Sequence, residues 1–182
     1  MEFTYVRPKL YAKQTAAFFD PVDVEGNSAR YSWIEGSTKS GKTVSCMAWL
    51  FEQALFKGKP GRQFWWIAPV FAQAKIAYGR MKRGLPPQLI RCNDTDQTIT
   101  IIPTEAVISF KSGEKTDNLY GEDVWAAVLD EASRMREDAF CAIRSTLTVA
   151  SSSIEPHLEG MVATHFFDSV RVRGFSHVVA EP

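Results

Sequence analysis

The stretch GSTKSGKT, Gly36 to Thr43, lies between an alternating, aromatic-rich segment, RYSWIE, and a segment of helical periodicity, TVSCMAWLFEQALFKG. No other feature of the chain restricts its fold as strongly. The polypeptide must leave a strand, turn tightly with its N–H groups facing inward, and enter a helix whose N-terminus points back at the turn. Gly36, Gly41, Lys42 and Thr43 match the pattern G-x-x-x-x-G-K-[S/T]. Glycines let the backbone close around phosphate oxygens, a lysine at this spacing adds a point charge for the β- and γ-phosphates, and a threonine hydroxyl suits Mg²⁺. A ligand-free glycine turn would share the pattern, but a preceding strand and a following helix are the context the phosphate-binding reading requires. The expected nucleotide-binding residues are Gly36, Ser37, Thr38, Lys39, Ser40, Gly41, Lys42 and Thr43. ATP with Mg²⁺ is the expected ligand.

The surrounding pattern predicts an α/β fold, a P-loop NTPase with a mostly parallel sheet and helices on both faces. KQTAAFFD suggests a short helix ended by Pro21. QFWWIAPV reads as a buried strand, FAQAKIAYGRMKRGL as a helix stopped by Pro86 and Pro87, and TITIIP with AVISFKS as a hairpin. VWAAVLDEAS reads as a strand with an acidic end, and REDAFCAIRSTL as a closing helix. In such sheets ligands sit beyond the carboxyl ends of the strands, where both the glycine loop and the acidic pair fall.

That acidic pair, Asp130 and Glu131, is the second expected half of the site. An aspartate at a strand end can hold Mg²⁺ together with Thr43, and the adjacent glutamate can activate a water. An acidic helix cap would need no nucleotide, but two motifs in the right order disfavour it. The base-reading N-K-x-D of switch GTPases is absent from the sequence. The expected catalytic residues are Glu131, Lys42 and Lys39; the expected metal ligands are Thr43 and Asp130.

With these pieces in hand, residues 5–149 resemble the ATPase domain of phage terminase large subunits, the motors that package viral DNA. RPKLYAKQTAAFF resembles the family's upstream segment, and Gln14 takes the place of a glutamine that reads adenine. GSTKSGKT resembles its phosphate loop, which often carries an arginine finger where Lys39 stands; lysine cannot form the same bidentate fork. WWIAPVFAQAKIAYGRM, ISFKSGEKTDNLYGEDVWAAVLDEAS with Gly121, and DAFCAIRSTLT are similar to the segments that follow. The resemblance implies double-stranded DNA, a portal and a small terminase subunit as partners, and a homo-oligomeric ring on the portal. A helicase-like DNA-dependent ATPase, and a nucleotide-binding fragment without turnover, remain as alternatives.

Two divisions are expected: an ATPase domain over 1–149 and a divergent tail over 150–182, truncated or frame-shifted after Leu147. No coupling motif and no nuclease-type acidic cluster is readable in that tail. His157, His165 and His177 have no metal-ligand spacing. Phe64, Trp65 and Trp66 suit a strand core better than base stacking. Arg80, Lys82 and Arg83 form a basic helix end, and Arg134, Arg136 and Arg144 a candidate trans-acting set. Equal numbers of basic and acidic residues, 21 each, make no global case for nucleic-acid binding. Three scattered cysteines and no apolar segment long enough for a membrane or a leader point to a soluble protein of the cytoplasm.

Overall fold

The computed structural model describes residues 5–21, 31–36, 39–148, 160–165 and 176–180. Its helices are α1 (Ala12–Phe19), α2 (Lys42–Phe56), α3 (Phe71–Gly84) and α4 (Glu137–Thr148). Its strands are β1 (Tyr31–Gly36), β2 (Gln63–Ala68), β3 (Ile90–Asn93), β4 (Thr98–Ile101), β5 (Ala106–Ser112), β6 (Val124–Leu129), β7 (Gly160–His165) and β8 (Ser176–Ala180). Charges at helix ends follow the helix dipole: Lys82 and Arg83 close α3, and Glu137 and Asp138 open α4.

All eight strands form one sheet in the order β3-β4-β5-β2-β6-β7-β1-β8. From β5 to β8 the pairings are parallel, and β3 and β4 close the opposite edge antiparallel. The expected hairpin is β4–β5, with Ile99 opposite Ile108. β3 is an addition to the sequence reading; its IRCN offers only one buried side chain, too little alternation to stand out.

Successive residues of β2 point to opposite faces of the sheet. Phe64, Trp66 and Ala68 pack in a cluster with Phe18 of α1, Leu50 and Phe51 of α2, and Tyr78 and Met81 of α3. Trp65 and Ile67 belong to a second cluster with Ala139, Ala142, Ile143 and Leu147 of α4. Phe64, Trp65 and Trp66 have no exposed surface, so they are core and do not present rings to bases. Val44, which the helical periodicity groups with the buried face of α2, is 52% exposed: Lys42, Ser45 and Cys46 take the inward side of that turn, and Val44 lies on the side that lines an open cavity. Its neighbours Leu50, Phe51 and Leu55 are buried as expected.

Residues 160–165 and 176–180, which the sequence reading assigns to a divergent tail, supply β7 and β8. β7 lies between β6 and β1, and β8 on the far side of β1. The strand leading into the glycine loop therefore has both its neighbours from the C-terminal segment.

Candidate functional site

Because β1, β6 and β2 are parallel, their carboxyl ends meet at one edge of the sheet. Trp33 of β1 and Leu129 of β6 are both in register with Ala163 of the intervening β7. Two strand spacings separate β1 from β6, about 10 Å. The loop after β1 and the acidic pair after β6 thus face each other across β7.

Ser37 and Thr38 lie outside the described residues. From Lys39 the loop is built on left-handed turns: Lys39 has φ 68° and Gly41 φ 82°. At Gly41 a Cβ would meet Nε2 of Gln14, so a side chain there could be accepted only if that amide moved. Gly41 then caps α2, its carbonyl accepting from the Ser45 N–H at 3.0 Å. Lys42 folds back over the loop, where its ammonium donates to the Gly36 carbonyl at 2.6 Å and to Ser40 Oγ at 3.2 Å. Burial lowers the pKa of this lysine, and the Cys46, Asp130 and Glu131 side chains partly offset the shift. Cys46 is buried beneath the loop, and that burial pushes its thiol well above the usual range. Lys39 is exposed.

Gln14, on α1, is buried at 7% exposure and clasps the loop from the other side. Its Nε2 donates to the Ser40 carbonyl at 2.7 Å, and its Oε1 accepts the Tyr11 N–H at 2.9 Å, half of a capping box at the start of α1. These two bonds make Gln14 a grip on the loop, a contact that the spacing of RPKLYAKQTAAFF does not reveal.

Ahead of α1, the segment from Tyr5 to Pro8 lies along α2. Arg7 makes a two-pronged bond to Glu52, Nε to Oε1 at 2.7 Å and a terminal nitrogen to Oε2 at 2.5 Å, while stacking over the Phe19 ring. Glu52 is buried. Beside this segment opens a largely apolar cavity of about 560 Å³, lined by Tyr5, Pro8, Thr43, Val44, Met47 and Arg80 among others. It begins next to the loop, at Thr43.

Asp130 continues the ladder, its N–H donating to the Ile67 carbonyl of β2 at 2.9 Å. Glu131 adopts φ 52°, ψ 46°, a left-handed conformation uncommon for a residue with a side chain. Its Oε2 accepts from Arg134 at 2.8 Å and from Gln73 Nε2, in the first turn of α3, at 3.4 Å. Arg134 is therefore paired within the chain, and so is Arg136, to Asp138 at 2.6 Å. Lys82 pairs with Asp94 at 2.7 Å, so of the basic helix end only Arg80 reaches the cavity. Gln73 was not among the expected site residues; FAQAK carries no motif that marks it.

The donor set suits a nucleotide with a hard cation. The Lys42 ammonium lies over the loop, and a hydroxyl and a carboxylate, oxygen ligands of the kind Mg²⁺ prefers, belong to Thr43 and Asp130. Among the described residues no cluster of three histidine, cysteine or acidic side chains could hold a metal alone, and no helix is long and apolar enough to cross a membrane.

No family model and no curated protein sequence matches the chain. Solved structures do. The chain is similar to the large terminase ATPase domain of Thermus phage P74-26, with 20% identity and a TM-score of 0.66 over 90% of this chain and 67% of that one. It is similar to the large terminase of bacteriophage HK97, with 17% identity and a TM-score of 0.66 over 87% of this chain and 33% of that one. It also resembles the large terminase of a thermophilic bacteriophage in complex with ADP, with 17% identity and a TM-score of 0.60 over 85% and 38%. At these identities the likeness is one of fold: the chain has the fold of phage large-terminase ATPase domains. It spans about two-thirds of one such domain and well under half of the two large terminases.

Proposed function

We propose that this chain is a P-loop ATPase domain of the large-terminase type, with helices flanking both sheet faces, that binds and hydrolyses ATP at the edge shared by β1 and β6. The observation that carries the reading is the placement of Lys42 and the loop opposite Asp130 and Glu131 across a single strand. Gly36, Ser37, Thr38, Lys39, Ser40, Gly41, Lys42 and Thr43 would enclose the phosphates, and the apolar cavity beside Thr43 and Val44 would take the base. Gln14 would link the two regions through Ser40. Thr43 and Asp130 would hold Mg²⁺, which when bound neutralises phosphate charge. Lys42 would exchange its bonds to Gly36 and Ser40 for phosphate oxygens, stabilising charge on the transferred group. Glu131 would accept a proton from the attacking water. Lys39 is placed to add positive charge at the loop but lacks an arginine's fork.

The large terminase of the thermophilic bacteriophage, to which the fold is similar, has been captured with ADP and with ATP-γ-S, which supports a nucleotide at this edge. In a complete motor, hydrolysis would drive double-stranded DNA through a portal, with the small terminase subunit and further copies of this chain in a ring, in the host cytoplasm. Residues 1–149 would carry the nucleotide-binding groups, and 150–182 would supply the strands that hold β1 in the sheet.

Measuring ATP hydrolysis and ADP affinity for the native chain and for Glu131→Gln tests the proposal. Turnover by the native chain, lost in the variant with affinity retained, is the expected result. Equal background rates with intact affinity would remove the hydrolytic reading; absence of nucleotide binding would remove the whole of it.

A further inference from the structure

The fold accounts for most polar side chains near the acidic pair, but not for Gln73. It stands in the first turn of α3, half-buried, with Nε2 directed at Glu131 Oε2 at 3.4 Å and Oε1 buried without a hydrogen-bond partner. A glutamine that served only packing would have no reason to bring a polar amide into this position. Glu131 itself departs from ordinary backbone geometry, and Arg134 reaches the same Oε2 at 2.8 Å from three residues on.

We infer that Gln73, together with Arg134, is a positioning residue that sets the direction of the Glu131 carboxylate; this rests on the hydrolytic reading of the site. The two donors come from different elements and converge on one oxygen. A carboxylate free to rotate about its own stem would spend much of its time turned away from a water it must deprotonate, and misplacement by about 1 Å can cost up to about 100-fold in rate. Arg134 is 60% exposed and so holds Glu131 only weakly on its own. The Gln73 amide is the better sheltered of the two. The helix that carries it, α3, follows β2 after Pro69 and Val70, and the Ile67 carbonyl of β2 binds the Asp130 N–H, so the strand that aligns the aspartate also leads to the residue that aligns the glutamate.

The experiment uses the full chain and compares steady-state ATP hydrolysis, ADP affinity and thermal unfolding across four variants. Gln73→Met keeps the volume and removes the donor. Gln73→Glu keeps the shape and sets a like charge against Glu131. Arg134→Ala and Arg134→Lys separate loss of charge from loss of geometry. Gln73→Met is expected to lower kcat about 10-fold while KM for ATP and the ADP Kd stay within about 2-fold, with no fall in unfolding temperature. Gln73→Glu should lose more, and Arg134→Lys should retain more turnover than Arg134→Ala. A Gln73→Met variant with native kcat, or one losing kcat and ADP affinity together, overturns the inference while leaving the hydrolytic reading intact. Native protein that binds ADP yet hydrolyses ATP no faster than Glu131→Gln overturns that reading and the inference with it.

Discussion

Replacing Gly41 with alanine probes the contact between α1 and the phosphate loop more directly than any change of a charged residue. Two costs arise. Alanine at φ 82° is in the left-handed region, worth about 1–2 kcal/mol against it. Its Cβ would also meet Gln14 Nε2, so the amide must shift and surrender its 2.7 Å bond to the Ser40 carbonyl. Gln14 is only 7% exposed, and leaving a buried amide short of a partner adds about 1–3 kcal/mol. Together these amount to about 3 kcal/mol, a fall of roughly 10 °C in unfolding temperature for a chain of this size. The decisive measurement is the cycle with Gln14→Ala. That change alone should cost about 1 kcal/mol, and in its background Gly41→Ala should cost only the backbone part, because nothing remains to collide with. If the two substitutions add to within about 0.5 kcal/mol, Gln14 does not rest on Gly41 and the account of the loop is wrong.

Two further outcomes follow from charges held near the loop. Arg7→Ala strands the buried Glu52 carboxylate, whereas Glu52→Gln keeps an acceptor and leaves a guanidinium that is 42% exposed in the native structure. Arg7→Ala should therefore cost about 2–3 kcal/mol and Glu52→Gln less than about 1 kcal/mol; urea midpoints in the opposite order would contradict this. Lys42 has its pKa lowered from 10.5 chiefly by burial, with Cys46, Asp130 and Glu131 acting the other way. Between the folded-state value and 10.5 the unfolded chain then holds more proton than the folded one, so the contribution of Lys42 to stability is complete above 10.5 and is lost as pH falls through the folded-state value. Triphosphate affinity, which needs the ammonium, should run the other way and weaken as pH rises toward 10.5. Affinity that stays level over that range, or that still falls in Lys42→Met, would show that another group governs it.

How much of this was readable beforehand differs from element to element for physical reasons. α2, α3, β2, β6 and α4 carry strong apolar periodicity or continuous apolar runs, and these appear close to their expected bounds. The glycine loop was readable because its glycine spacing, with Gly41 at φ 82°, falls between a strand and a helix, and Asp130 because a charged residue ends a buried run. Contacts between distant segments left no local trace. The bond from Gln14 to Ser40, the pairing of Glu131 with Gln73, and the strap of Arg7 on Glu52 join segments whose sequences carry no mark of one another. Val44 shows the converse error, since an apolar stripe does not say which of its residues line an open cavity.

The C-terminal strands carry the same lesson further, and here it bears on the site itself. Composition and motif content set residues 150–182 apart from the rest, yet Tyr31 to Glu35 pair with β7, and Ser32 to Gly36 pair with β8. Among the described residues β1 has no other strand beside it. At about 1 kcal/mol for each ladder hydrogen bond, strand pairing of this extent is worth on the order of 5–10 kcal/mol, comparable with the whole stability of a domain. A chain ending at Thr148 would keep the phosphate loop and the acidic pair in its sequence but lose the strand that sets their separation and both partners of the strand that carries the loop. Such a chain should fail to bind ADP, and the amides of Tyr31 to Gly36 should exchange hydrogen as rapidly as an unfolded segment, while those of β2 and β5, which pair with each other, stay slower. If the shortened chain instead binds ADP with native affinity, β1 is held by packing against the helices without a strand partner, and the spacing of loop and acids does not depend on β7.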